Sequence, residues 1–182
     1  MGVAIDFQSK KTLLRRSKHI EKEMNRLPLF CGLLFLAFFE PTGMKAQPLR
    51  VNVVQGLSFG SFVVGASGGT ITITPEGTHT TTGTIVPLAI STVAPAIFEV
   101  SKPGSSQKQV NIVFPASAYL TRSGGSERIV VNNFKSDKPS DSFLASNIPQ
   151  RVNVGATLTV QGLSTNPPGN YAGTFSVTFA YE

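Results

Sequence analysis

Tryptophan is absent from the 182 residues, cysteine occurs once and histidine twice. Charged residues make up only 14% of the chain, against 41% hydrophobic. So little charge excludes a charged disordered tail and a coiled coil, while the apolar share is that of a globular protein. The formal net charge of +6 and a pI near 9.7 point first to a polyanionic partner. Where the charges sit decides otherwise.

Eight of the 16 basic residues precede Gln47, at positions 10, 11, 15, 16, 18, 22, 26 and 45, beside four acids, Asp6, Glu21, Glu23 and Glu40. Residues 1–46 thus carry +4, and the remainder, with eight basic and six acidic residues, carries +2. The basic stretch leads into an uncharged run of 13 residues, Leu27 to Phe39, followed by Glu40-Pro41-Thr42-Gly43-Met44-Lys45-Ala46-Gln47. A membrane-spanning helix needs about 17 to 25 apolar residues and a signal-peptide core about 7 to 15. The segment therefore reads as a secretory signal, cut between Ala46 and Gln47, although Met44 is bulkier than the small residue that position favours. Met24-Asn25-Arg26 makes a compact start for the same signal, so residues 1–23 read as an over-extended beginning. The alternative is a short membrane anchor with a basic cytoplasmic arm. Cys31 is no lipid-attachment site, because Pro28-Leu29-Phe30 lacks the small residues required and the apolar run continues beyond it. Cleavage after Ala46 leaves 136 residues without cysteine, which excludes a disulfide or a thiolate-bound metal.

From Gln47 onward apolar residues recur with period two: Leu49, Val51, Val53; Ile71, Ile73; Val110, Ile112; Val152, Val154; Leu158, Val160. Such alternation lays one strand face on a core and the other toward solvent. Turn clusters separate the runs, at 66–69, 75–77, 102–105, 123–126, 138–140 and 167–170, where proline presets a turn and glycine supplies positive φ. This spacing predicts an all-β fold, a single immunoglobulin-like or pilin-like β-sandwich over residues 47–182. Pro or Gly interrupts nearly every window long enough for a helical core. Residues 135–150 are weakly periodic and read as an excursion between strands.

Chemistry is thinly provided. The mature chain has one imidazole, His79, in Thr78-His79-Thr80, and no thiol, so a nucleophile and base pair has little to draw on. Asp137 and Asp141 flank Lys138-Pro139-Ser140 but lack the dense acid spacing of a Ca²⁺ loop. Gly65-Ala66-Ser67-Gly68-Gly69 has no following Lys-Ser/Thr and leads into a strand, so it is a turn and no phosphate cradle. Lys102, Lys108, Arg122 and Arg128 read as ordinary solvated charges. The expectation is no enzyme, no cofactor, no metal and no nucleic-acid partner, with membrane contact only through the export signal.

The last segment is the most regular. Tyr171, Phe175, Val177, Phe179 and Tyr181 fall on one face and Thr174, Ser176 and Thr178 on the other. With Leu57-Ser58-Phe59-Gly60, Gly69 to Pro75, Ile112-Val113-Phe114-Pro115, Val130 to Phe134, Val154 to Val160 and Gly169 to Thr178 taken in order, residues 49–182 resemble the bacterial domain of unknown function 4402 family. That resemblance implies a secreted β-sandwich without an established activity.

A looser resemblance is to chaperone-usher pilus subunits, which end on an alternating strand with a penultimate Tyr and a Gly near its start. Here Tyr181 is penultimate, and Gly169 is the fourteenth residue counting back from Glu182. The resemblance implies β-strand addition, with copies of the chain or other surface subunits as partners. Leu49, Val51 and Val53 are then suitable donor residues, and together with Phe175, Val177, Phe179 and Tyr181 they are the candidate strand-pairing and assembly residues. The missing disulfide departs from many such subunits. Alternation cannot separate a donated strand from one that completes its own sandwich, so both arrangements stay open. The functional expectation is an exported pilin-like or adhesin-like component in the periplasm, at the cell surface or outside the cell. The alternative is a carbohydrate- or protein-binding module.

Overall fold

The computed structural model describes residues 48–181 and the backbone of one strand nearer the N-terminus. In chain order the strands are β1 (Ile5–Thr12), β2 (Arg50–Gln55), β3 (Ser58–Val64), β4 (Gly69–Ile73), β5 (His79–Thr81), β6 (Ile85–Ala94) and β7 (Ala96–Ser101). There follow β8 (Lys108–Val113), β9 (Ser117–Arg122), β10 (Arg128–Ser136), β11 (Ser142–Ala145), β12 (Gln150–Val160) and β13 (Tyr171–Tyr181). Among the described residues the one helical element is a 3-10 turn, Pro139–Asp141. The chain is all-β for the reason its alternation gives. In β4, Ile71 and Ile73 are buried between half-buried threonines, and in β8, Val110 and Ile112 are buried between exposed neighbours.

Two sheets share one core. The larger follows the hydrogen-bonded succession β11-β8-β13-β9-β10-β12-β4-β5, with β7 attached to β12 and β2 to β7. The smaller consists of β3 and β6, antiparallel. β12 changes partner along its length: Gln150–Val154 pairs with β7, and Ala156–Val160 pairs with β4. The change falls at Gly155, where a Cβ would run into the Ile73 carbonyl, so the close approach of β4 requires glycine there.

Aromatic rings connect the strands inside. Phe134 stacks on Phe175 at 5.0 Å and on Phe114 at 6.3 Å. Phe98 meets Phe175 and Phe179 edge-on at 6.5 and 5.7 Å. Offset and edge-to-face rings at such separations each add about 0.5–1.5 kcal/mol beyond their buried area. The chain of rings ties β13 to β7 and β10.

Two expectations need correction. Residues 135–150 are more than an excursion, because they contain β11, whose Phe143 and Ala145 are buried against the core and whose backbone pairs with β8. Lys102 is no solvated charge: it is 7% exposed, and its ammonium donates to the Pro103 carbonyl and the Ser106 hydroxyl. The leader, its apolar run, Cys31 and the cleavage site lie outside the described residues. Among the described residues no helix is long and apolar enough to cross a membrane.

Candidate functional site

β13 starts from a loop that is fixed at several points. The Tyr171 hydroxyl donates to the Pro167 carbonyl at 2.7 Å, and the Arg122 Nε donates to the Pro168 carbonyl at 3.2 Å. Asn166 is 4% exposed; its amide donates to the Arg128 carbonyl, and its side-chain oxygen accepts from the Gln161 N–H. Arg122 also pairs with Glu127 at 3.4 Å, so it too is engaged rather than freely solvated. Burial pushes the Tyr171 phenol above its ordinary range; Arg122 opposes the shift and Glu127 adds to it. Glu127 is held below the usual carboxylate range, first by a backbone hydrogen bond within its own residue and then by Arg122.

Along β13 the predicted alternation is realised. Phe175, Val177 and Phe179 are 3%, 2% and 3% exposed, Tyr181 packs against the core from a partly buried position, and Thr174 and Ser176 face solvent. Gly173 sits where a Cβ would collide with the Tyr119 carbonyl, which brings β9 in close on that side.

The two edges of β13 differ. Tyr171 and Ala172 pair with β9, and Thr178 to Tyr181 pair with β8, both antiparallel. On residues 171–178 lies β1, parallel, in the register Ile5 to Tyr171 through Thr12 to Thr178. Tyr171, Ala172 and Thr178 each have β1 as one partner and β8 or β9 as the other, which puts β8 and β9 together on the edge opposite β1. Among the described residues, therefore, β1 alone pairs with the outer edge of β13. It also runs beside β3, which among the described residues has a ladder only with β6. β1 thus fills a gap between the last strand of the large sheet and the first strand of the small one.

The candidate donor residues sit elsewhere. Leu49 and Val51 are 4% and 7% exposed within the chain's own core, Val53 is partly buried against it, and β2 pairs with β7 from Arg50–Ser101 to Gln55–Ile97. β2 and β13 are not ladder partners. They meet through Phe98, which lies opposite Val53 in the ladder and whose ring touches Phe175 and Phe179.

The two loop aspartates are occupied structurally. Asp141 accepts from the Ser136 hydroxyl and N–H, at 2.6 and 3.1 Å, while Asp137 accepts from the Asn153 N–H and the Lys138 ammonium. Among the described residues no group of three or more His, Cys, Asp or Glu could hold a metal. His79 lies on β5 opposite Ile73, with its Nε2 buried.

Sequence reasoning missed two components of this edge. The side of β3 turned away from β6 carries no motif, since pairing is not written in side-chain alternation. β1 lies in a stretch read only as part of a leader, where Ile5, Phe7 and the polar residues around them offer a short alternating signal.

The fold defines a class: an all-β sandwich of one large and one small sheet. The family described as a domain of unknown function (DUF4402) matches residues 49–181, and the chain belongs to it. No curated protein and no solved structure matches the chain.

Proposed function

We propose that the chain is exported, loses its leader after Ala46, and serves as a non-enzymatic pilin-like or adhesin-like surface component that takes up a strand on the outer edge of β13. One observation carries this reading: the eight-residue ladder between β13 and a segment that precedes the predicted cleavage site. The exported chain lacks β1 whether residues 1–23 are an over-extended beginning or belong to a leader that is cut away. The N–H and C=O groups on that edge of residues 171–178 are then free to pair with another chain, the general basis of strand addition.

Comparing the processed protein with the uncleaved chain tests this. Mass spectrometry of the exported protein should find Gln47 at its N-terminus. The processed form should melt at a temperature lower by about 4 °C or more, and those amides of residues 172–178 that face β1 should lose their protection from hydrogen exchange. Equal melting with those amides still protected would sink the proposal.

A glycan-binding module is the second reading, and one surface row favours it. Ser117, Asn132, Thr157, Thr72 and Thr80 are successive partners across β9, β10, β12, β4 and β5. Beside them Tyr119 is 49% exposed, with the Arg128 guanidinium 5.8 Å from its ring centre. If this row binds sugar, Tyr119→Ala should abolish retention on a glycan array; unchanged retention would exclude it.

A further inference from the structure

We infer that the strand entering the outer edge of β13 comes from a different protein and not from a second copy of this chain. The inference rests on the proposed cleavage and strand addition and names the partner they require.

The first argument is supply. The occupied edge spans eight residues, about 26 Å at the rise of a parallel strand. Cleavage after Ala46 leaves only Gln47 and Pro48 ahead of Leu49, which is 4% exposed in the core. Two residues reach about 7 Å, and proline has no N–H for a ladder. Using β2 instead means drawing Leu49 and Val51 out of the core and breaking the ladder from Arg50 to Gln55.

The second argument is direction. Two copies meeting edge to edge about a two-fold axis place identical strands antiparallel. The strand that occupies this edge runs parallel to β13, and it is flanked on its far side by β3. A strand in that position has a neighbour on both sides, so it must enter as a free extended segment. An edge strand still attached to its own sheet cannot do so.

The same geometry sets the partner's chemistry. Directly paired residues in a parallel ladder point to the same sheet face, so those opposite Tyr171, Phe175 and Val177 meet the core and those opposite Thr174, Ser176 and Thr178 meet water. The partner therefore offers at least eight extended residues without proline; β1 brings Ile5 and Phe7 opposite Tyr171 and Gly173 but Ser9 and Lys11 opposite Phe175 and Val177, so apolar residues are required at no more than the first two inward positions.

Disulfide trapping tests this on the processed chain, 47–182, which contains every buried core residue from Leu49 to Phe179 and has no cysteine of its own. Ser176→Cys puts a thiol on the solvent face of the edge, at the position paired with Lys10. Paired strands bring their Cα atoms within disulfide range. Two synthetic probes are offered: residues 5–12 carrying Lys10→Cys, and residues 47–55 carrying Asn52→Cys. The expected result is that the first is trapped in at least about tenfold greater yield than the second, and that the chain without probe stays monomeric as its concentration rises. Thr178→Cys with Thr12→Cys repeats the test should the first variant fold poorly.

Equal or preferential trapping of the 47–55 probe, with concentration-dependent oligomers, makes a second copy the occupant; it overturns the inference and leaves strand addition standing. Failure to trap the 5–12 probe also overturns the inference. If those amides of residues 172–178 that face β1 are then protected in the processed chain alone, the edge is closed and the proposed function falls with it.

Discussion

Tyr171 joins the loop before β13 to the core, and its protonation state is coupled to folding. Its ring is 1% exposed and its hydroxyl donates to Pro167. Its phenol is raised in the folded state, so the neutral form is favoured there. The stabilising effect is complete below the unfolded value, about 10, and is lost as pH rises through the folded one. Urea midpoints measured from pH 8 to 11 should fall for the wild type at the alkaline end. Tyr171→Phe should be less stable by about 1 kcal/mol at neutral pH and lack that alkaline component. Phe175 carries more, because it contacts Phe98 and Phe134 at once. Phe175→Ala should cost about 3–5 kcal/mol in equilibrium denaturation, whereas the exposed Ser176→Ala should stay within about 0.5 kcal/mol. The inward set Phe175, Val177 and Phe179 was legible because each alternates with a small polar residue. The burial of Lys102 was not, since nothing in Ser101-Lys102-Pro103 distinguishes an ammonium that folds back onto its own turn from one in water.

At the scale of elements, β2 and β13 were equally regular in sequence but differ in pairing. β2 has one ladder, to β7, and places Leu49 and Val51 in the core. Burying side chains of this kind contributes about 1.5–3 kcal/mol each, a large share of the ~5–15 kcal/mol that holds a domain. A chain lacking residues 47–55 should therefore fail to fold cooperatively by circular dichroism melting, and a peptide of those residues added in trans should restore the transition. Recovery by the 5–12 peptide in its place would show that the two strand positions are interchangeable, against the geometry described. Other elements escaped the sequence for a physical reason. β6 buries Ile85 but leaves Val86 and Ile90 exposed, so its burial has no period of two to read. β10 contains a bulge between Asn132 and Lys135, with Asn133 at φ 53°, which moves its alternation out of phase midway.

For the whole molecule, the charge that opened toward nucleic acid resides mainly in residues 1–46. The processed chain carries +2 where the full chain carries +6. On a heparin column the processed chain should elute at markedly lower salt than the uncleaved one, since polyanion affinity follows the number of cations engaged. Retention of both at the same high salt would instead reveal a basic surface on the sandwich itself. The sequence by itself determined the all-β class and the inward faces of β4, β8, β12 and β13. Each of these follows from local periodicity or from which side chains are present. Only the tertiary structure decided that β2 belongs to its own core and that β1 pairs along the outer edge of β13. Alternation records which face of a strand meets apolar surface, whereas the partner along each edge is chosen by backbone hydrogen bonds, which every residue except proline can make alike.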